Sequence, residues 1–254
     1  MTKNIILFAN KKTGLDICEF LVSQNENIFR LYISNFEDDY AKKIISASKL
    51  PKEKIFHADI IKEKNHLDTL KTLDVDFMIT VYWPFLLSPE IFKISKNGCI
   101  NFHPSLLPIN RGWFPHVHSI LDGSPSGVTL HLIDENADTG PILAQKEVPL
   151  EFIDTSKTIY EKLQKEIVLL FKENWIKIRN NDILPIPQDE SKSIYHKKSE
   201  TDELDQINLE SLSAKELINI LRARSFGNKG FAYVTVNNEK IYLNLRLSHY
   251  SDFI

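Results

Sequence analysis

The chain has 254 residues, enough for one large domain or for one domain with a small appendage. Its formal net charge of −3 lacks the basic excess that phosphate binding demands of most nucleic-acid-binding proteins. Cys18 and Cys99 match no metal or redox spacing, and no apolar run is long enough to span a bilayer. We therefore expect a cytoplasmic protein whose partners include neither nucleic acid nor membrane.

The first hundred residues alternate between short apolar runs and amphipathic segments. Strands are predicted over residues 5–9, 27–33, 54–57, 75–81 and 98–102. Helices are predicted between them, over residues 15–23, 37–48 and 60–73. The apolar runs do not alternate strictly with polar residues, which is typical of strands covered on both faces. This pattern predicts an α/β fold with a mostly parallel, Rossmann-like sheet flanked by helices.

The second half of the chain predicts two more strands, a long helix and a small α+β unit. The strands cover residues 127–133 and 141–148, and the long helix covers 156–178. A polar stretch after Leu184-Pro185-Ile186-Pro187 has the composition of a linker. A helix over 214–223 and a hairpin over 233–236 and 240–247 follow it. We divide the chain into a large domain (1–185), a linker (186–199) and a C-terminal unit (200–254).

Ligands of parallel sheets bind beyond the carboxyl ends of the strands. Two loops of the predicted sheet lie there, over residues 82–89 and 103–112. The sequence contains neither GxGxxG nor GxxxxGK[ST], so it does not indicate a standard dinucleotide or nucleoside-triphosphate site.

Asn101 and His103 end the strand predicted before the second of these loops. They are two residues apart, so an extended backbone projects both side chains to the same side. Pro104 keeps His103 away from helical angles. An imidazole can accept a proton near neutral pH, and a carboxamide can donate to an oxyanion without changing its charge. Acyl or formyl transfer to an amine needs both functions, which makes the pair a catalytic candidate.

Asp138 is the third catalytic candidate. Gly140 permits a tight turn in the same segment, which can carry the carboxylate towards the crevice. A carboxylate there can orient His103 and stabilise its imidazolium form. Spacing alone equally allows a turn asparagine, a structural histidine and an exposed loop aspartate.

Two sequence blocks resemble those of the folate-dependent formyltransferase family. They are Asn101-Phe102-His103-Pro104-Ser105-Leu106-Leu107-Pro108 with Arg111-Gly112, and Ala137-Asp138-Thr139-Gly140-Pro141-Ile142. The resemblance implies the formyltransferase fold, 10-formyltetrahydrofolate as co-substrate, and formyl transfer to an amine. It also implies that Asn101 holds the formyl oxygen, that His103 accepts the amine proton or shares in stabilising the oxyanion, and that Asp138 fixes His103.

Within that family, residues 111–120, 221–226 and 230–233 most resemble enzymes that act on dTDP-linked amino sugars. This resemblance implies a homodimer that formylates a dTDP-linked amino-dideoxyhexose for O-antigen or another surface polysaccharide. It favours dTDP-4-amino-4,6-dideoxyglucose over a 3-amino sugar.

The resemblance extends to the binding residues. The family holds its pterin largely through backbone groups, and the matching positions here are Phe85, Leu86, Leu87, Ile133, Asp134 and Ala137. Candidates for the sugar nucleotide are Tyr82, Trp83, Arg111, Trp113, His116, Arg222, Arg224, Phe231 and Tyr233, the arginines because guanidinium forks suit diphosphate oxygens. The alternatives are ordinary packing for the aromatic residues and solvated surface positions for the arginines.

Other functions stay open. His116 and His118 could join His103 and Asp138 in a metal site, but residues two apart on a helix diverge, so we expect no metal. Other acceptors are a 3-amino sugar, glycinamide ribonucleotide and methionyl-tRNA, and water would make the protein a formyl-folate hydrolase. The non-enzyme alternative is a catalytically silent folate- or nucleotide-sugar-binding module.

Overall fold

The computed structural model describes residues 2–253, and side chains up to residue 251. Its strands, in chain order, are β1 (Asn4–Ala9), β2 (Asn27–Ile33), β3 (Ile55–His57), β4 (Phe77–Val81), β5 (Cys99–His103), β6 (Arg111–Gly112), β7 (Gly127–Leu132), β8 (Ile142–Glu147), β9 (Tyr195–His196), β10 (Ser225–Phe226), β11 (Lys229–Gly230), β12 (Tyr233–Val236) and β13 (Glu239–Tyr242). Its helices are α1 (Lys11–Ser23), α2 (Asp39–Ser48), α3 (Lys64–Lys71), α4 (Pro89–Phe92), α5 (Pro115–Asp122), α6 (Ser156–Arg179), α7 (Lys198–Glu203) and α8 (Ala214–Ala223). None of the helices in residues 2–253 is long and apolar enough to cross a membrane.

The main sheet has seven strands in the order β3-β2-β1-β4-β5-β7-β8. The pairs β3–β2, β2–β1, β1–β4 and β4–β5 are all parallel, with helices in the connections between them. Residues 5–9 of β1 are completely buried, which explains why this apolar run shows no alternation. The mostly parallel α/β sheet predicted from the sequence is confirmed.

The residues cluster into two compact units, each built from separate stretches of chain. Unit 1 comprises Met1–His103, Leu130–Ala144 and Ile167–Gln188. Unit 2 comprises Pro104–Thr129, Gln145–Glu166 and Asp189–Ile254. The division predicted from the sequence uses contiguous segments, because sequential patterns carry no information on the long-range contacts that define these units. That division stays a prediction.

The segment expected to be a linker is ordered. A 3-10 turn covers Glu190–Lys192, and β9 pairs in parallel with β6. Two backbone hydrogen bonds join the segment to unit 2, from Arg111 N to the Ile194 oxygen (2.8 Å) and from Trp113 N to the His196 oxygen (3.1 Å). A two-residue strand is too short to leave a periodic signal, so the sequence shows only the polar composition typical of a linker.

Some element boundaries also differ from the predicted ones. Helix α1 begins at Lys11 instead of residue 15, because Gly14 lets the first turn pack closely on Ala9. The helix predicted over residues 60–73 is a 3-10 turn (Ala58–Lys62) followed by α3. The second strand of the C-terminal hairpin ends at Tyr242, although the prediction extended it to residue 247.

Candidate active site

Neighbouring strands place the candidate catalytic side chains at one edge of the sheet in unit 1. Asn101 and His103 lie at the carboxyl end of β5, and Thr80 of β4 is the register partner of Asn101. Strand β7 lies on the other side of β5 and leads into the loop that carries Asp138. The site is therefore built at the sheet edge where parallel folds bind ligands.

One carboxylate oxygen of Asp138 faces both other candidates. Asp138 Oδ1 lies 3.4 Å from Nδ1 of His103 and 3.4 Å from the side-chain nitrogen of Asn101. His103 is buried, and the Asp138 side chain is 17% exposed. The structure thus brings together the three residues singled out in the sequence, and the alternative of an exposed loop aspartate is not what it shows.

Two polar residues missed in the sequence complete the surroundings of Asn101. Thr80 Oγ1 donates to Asn101 Oδ1 (2.8 Å), and His131 Nε2 lies 3.0 Å from the Asn101 side-chain nitrogen. Thr80 and His131 are each 1% exposed. The available signal was a polar residue within an otherwise apolar strand, which carries little weight without knowledge of the strand order.

Hydrogen bonds within the loop and from Gln188 fix the backbone of the loop between β7 and β8, which carries Asp138. Asp138 has a positive φ of 58°, and Thr139 Oγ1 donates to Asp134 Oδ1 (2.6 Å). A side chain at Gly140 would collide with the backbone oxygen of Leu132. Gln188 donates from its amide nitrogen to the backbone oxygens of Asp138 (2.9 Å) and Gly140 (2.7 Å). These contacts position the Asp138 carboxylate, and sequence analysis did not find Gln188.

A cavity of about 280 Å³ lies in unit 1 beside the loop that follows β4. Its walls include apolar side chains and the charged Asp59, Lys62 and Glu90; the lining residues are Ala58, Asp59, Ile61, Lys62, Leu67, Trp83, Phe85, Leu86, Leu87, Ser88, Glu90 and Ile91. The indole nitrogen of Trp83 is buried and has no hydrogen-bond partner in residues 2–251. Four of the proposed binding residues thus line this cavity: Trp83, Phe85, Leu86 and Leu87.

The remaining candidates in unit 1 have structural contacts of their own. Asn10 donates from its side chain to the backbone oxygen of Tyr82 (3.0 Å), and Tyr82 has a positive φ of 51°. Ile133 packs on the apolar core beside the cavity, and its backbone nitrogen donates to the Cys99 oxygen (2.7 Å). Asp134 and Ala137 belong to the loop that carries Asp138.

In unit 2, Arg111, Trp113 and His116 have different environments. The buried guanidinium of Arg111 forms two hydrogen bonds with the carboxylate of Glu190, at 2.6 and 2.9 Å. Trp113 is 43% exposed and lies under the ammonium of Lys198. Burial, with smaller contributions from His118 and Arg224, lowers the pKa of His116 to about 3.

Arg222 and Arg224 are buried, so the alternative of solvated surface arginines is wrong. Arg222 donates to the backbone oxygens of Asp154 (2.9 Å) and Glu151 (2.8 Å). Arg224 forms two hydrogen bonds with Asp205 and lies over the ring of Phe231. These contacts give the arginines a structural role in unit 2, and their role towards a diphosphate stays a prediction.

Tyr233 of β12 contacts two residues of its own hairpin in unit 2. Its ring lies 5.7 Å from that of Tyr242, and the ammonium of Lys240 lies 4.1 Å from its centroid. Tyr233 therefore contributes to the hairpin itself, and its substrate-binding role stays a prediction.

One group of potential metal ligands occurs among the described residues: His118, His196 and Glu200. The two imidazole rings are stacked, with centroids 3.4 Å apart and an interplanar angle of 5°. A metal must lie close to the plane of each imidazole that binds it, whereas stacked rings direct their lone pairs into parallel planes. This geometry does not favour a metal ion at the group.

Two family models together match most of the chain. Residues 10–172 match the model of the formyl transferase family, and residues 200–249 match the N-formyltransferase dimerization C-terminal domain. The solved structure of a 4-N formyltransferase from Francisella tularensis is similar, with a TM-score of 0.83 and 28% identity over 97% of this chain and 98% of that one.

Two curated relatives match shorter portions. The methionyl-tRNA formyltransferase of Thermodesulfovibrio yellowstonii is 34% identical over 198 residues, which are 74% of this chain and 63% of that protein. The dTDP-4-amino-4,6-dideoxyglucose formyltransferase of Mycobacterium bovis is 50% identical over 74 residues, which are 28% of this chain and 32% of that protein. The chain thus spans less than two thirds of the curated relatives that it matches here.

Proposed function

The chain belongs to the formyl transferase family, and we propose that it transfers a formyl group from 10-formyltetrahydrofolate to the amine of dTDP-4-amino-4,6-dideoxyglucose. The observation that carries this proposal is the convergence of Asn101 and His103 on one oxygen of Asp138, each at 3.4 Å. A carboxamide, an imidazole and a carboxylate at the end of a parallel sheet form a set that formyl transfer to an amine requires.

Each of the three side chains has its own role in the reaction. Asn101 donates a hydrogen bond to the formyl oxygen and stabilises the negative charge that develops there as the amine attacks. His103 faces Asp138 through Nδ1, which assigns a proton to Nδ1 and makes Nε2 the nitrogen that accepts the proton of the amine. Asp138 stabilises the resulting imidazolium. A bond forms between the amine nitrogen and the formyl carbon, the bond from that carbon to N10 of the folate breaks, and N10 receives a proton.

The cavity beside the loop after β4 supports a folate co-substrate. Its volume of about 280 Å³ lies just below the usual range of small-molecule sites, so it suits an aromatic portion of the folate better than the whole molecule. Trp83 lines the cavity, and Phe85 and Leu86 are exposed enough to contact a ligand. Asp134 and Ala137 of the Asp138 loop are proposed to contact the pterin.

The names of two relatives and the net charge of the chain favour a 4-amino sugar as the acceptor. The Francisella structure is named a 4-N formyltransferase, and the Mycobacterium relative is named for a 4-amino sugar. A net charge of −3 does not favour tRNA. Trp113 is proposed to contact the sugar nucleotide, because 43% of its surface is exposed.

We also propose that the protein acts as a cytoplasmic homodimer and supplies a surface polysaccharide pathway. The match of residues 200–249 to a dimerization domain supports self-association. Cys18 and Cys99 are buried and form no disulfide, which is compatible with a reducing compartment.

Methionyl-tRNA is the second candidate acceptor, because the relative of that name matches 74% of this chain. An acceptor panel distinguishes the two. The protein is mixed with 10-formyltetrahydrofolate and, separately, dTDP-linked 4-amino and 3-amino sugars, glycinamide ribonucleotide, charged initiator tRNA and buffer, and products are weighed by mass spectrometry. A formylated 4-amino sugar is expected. Formylation of another acceptor would show that the proposed substrate is wrong. Loss of formyl in buffer would indicate hydrolysis, and no reaction with any acceptor would support a catalytically silent binding module.

A further inference from the structure

The buried His131 has a tautomer that its neighbours define. Its Nδ1 atom lies 2.9 Å from the backbone oxygen of Leu132, and a carbonyl oxygen can only accept a hydrogen bond. Nδ1 therefore holds a proton. In the neutral imidazole the other nitrogen, Nε2, is then an acceptor.

This acceptor faces the carboxamide of Asn101. His131 Nε2 lies 3.0 Å from the Asn101 side-chain nitrogen, so one N–H of the amide is donated to it. On the opposite side, Asn101 Oδ1 accepts from Thr80 Oγ1 at 2.8 Å. The two partners lie on the strands that flank β5, so the three side chains form a row across β4, β5 and β7. A flipped amide would direct its oxygen at the lone pair of His131 Nε2.

We propose that His131 and Thr80 are positioning residues, which hold the carboxamide of Asn101 with its nitrogen turned towards the reacting formyl oxygen. The amide nitrogen also lies 3.4 Å from Asp138 Oδ1, so its second N–H makes a long hydrogen bond that can be exchanged for one to the substrate. This inference rests on the proposed formyl transfer for its catalytic consequence. The orientation of the amide itself does not depend on which acceptor the enzyme uses.

Protonation of His131 would remove this arrangement. The imidazolium would donate from Nε2, so it would face the donating nitrogen of Asn101, and the amide would turn its oxygen towards the reacting centre. The titratable groups that face His131 are Asp138, whose Oδ1 is 3.6 Å from Nε2, and His103, whose ring centroid is 6.3 Å away.

The catalytic test uses matched variants at positions 131 and 80. His131→Phe removes the acceptor, whereas His131→Gln can place an amide oxygen near the position of Nε2. A well-placed oxyanion donor raises kcat by roughly 10²–10³-fold, and a misplaced donor loses part of that effect. We therefore expect His131→Phe to lower kcat by at least about tenfold with KM little changed. His131→Gln should recover most of the loss. Thr80→Val should likewise lower kcat more than Thr80→Ser.

A double variant separates positioning from a general structural effect. If His131 acts only through Asn101, adding His131→Phe to Asn101→Ala should lower kcat no further. A further loss of tenfold or more, or a wild-type rate for folded His131→Phe, would overturn the inference. Thermal unfolding of each variant checks that it folds.

The tautomer can be measured without any activity. In protein labelled with ¹⁵N-histidine, NMR at neutral pH should show a protonated Nδ1 and an unprotonated Nε2 for His131, assigned by its loss in His131→Gln. A protonated Nε2 would overturn the inference even if the enzyme is active. Failure of the proposed function is a separate outcome, since it would show as a wild-type protein that formylates nothing.

Discussion

The side-chain nitrogen of Gln188 lies 2.9 Å from the backbone oxygen of Asp138, and it donates a second hydrogen bond to the oxygen of Gly140. Residues 50 positions apart in sequence are thereby joined at the turn that presents the catalytic carboxylate. These two hydrogen bonds, here called the Gln188 clamp, use both protons of the side-chain amide. Glutamate has the same shape but only accepts hydrogen bonds when ionised, so it cannot replace glutamine here.

The first prediction concerns this clamp. Gln188→Glu should lower kcat by roughly tenfold or more, because displacement of Asp138 by about 1 Å is costly to a pre-organised site. Steady-state kinetics with circular dichroism will check it. The matched control is Gln145→Glu, which removes the amide that donates to Leu107 and Thr129 in unit 2 and should have a smaller effect on kcat. Equal rates for Gln188→Glu and wild type would contradict the assigned role.

The second prediction concerns Gly140. An added Cβ would meet the backbone oxygen of Leu132, so Gly140→Ala must shift one of the two segments. We expect a loss of about 1–3 kcal/mol in the free energy of unfolding, as for other overpacked sites. Gly123→Ala is the comparison: its φ is +74° but no atom lies within 4 Å of the added carbon, so only the backbone strain remains. Denaturant unfolding should therefore show the larger loss for Gly140→Ala.

The third prediction is a pH dependence of stability. Burial lowers the pKa of His116 from 6.5 to about 3 in the folded protein. Between these values the unfolded chain binds a proton that the folded protein does not, so stability must fall as the pH falls from about 6.5 towards 3. Unfolding by urea at pH 7 and pH 5 should show a smaller acid loss for His116→Gln than for wild type. Parallel losses in the two proteins would contradict the buried neutral state.

The order of apolar and polar residues along the sequence predicted the parts of the structure that depend on residues close together in the chain. The apolar run of residues 5–9 is the buried strand β1, and the spacing of Asn101 and His103 places both near Asp138. The early start of α1 was missed because glycine disfavours helices in general, whereas Gly14 here allows close packing on β1.

Tertiary contacts supplied the rest of the site. Thr80 and His131 stand in apolar strands and acquire a partner only because β4, β5 and β7 are neighbours in the sheet. Gln188 lies in a stretch whose composition suggested a linker, and its hydrogen bonds reach a distant loop. The burial of Arg222 and Arg224 likewise depends on contacts that no local pattern encodes.

The fourth prediction concerns the base and its partner. His103→Ala and Asp138→Asn should each lower kcat by at least about a hundredfold, since a positioned general base contributes roughly 10²–10⁴-fold. Asp182→Asn provides a control, because Asp182 is an exposed residue outside the candidate site. It should retain the wild-type rate.

The most direct test follows an isotope through the reaction. Wild type, His103→Ala and Asp138→Asn are incubated with 10-formyltetrahydrofolate carrying a ¹³C-formyl group and with dTDP-4-amino-4,6-dideoxyglucose, and the sugar is examined by NMR. The label should appear as a formamide on the sugar nitrogen with wild type and at least about a hundredfold more slowly with the variants. Transfer at equal rates by all three proteins would contradict a mechanism centred on Asn101, His103 and Asp138.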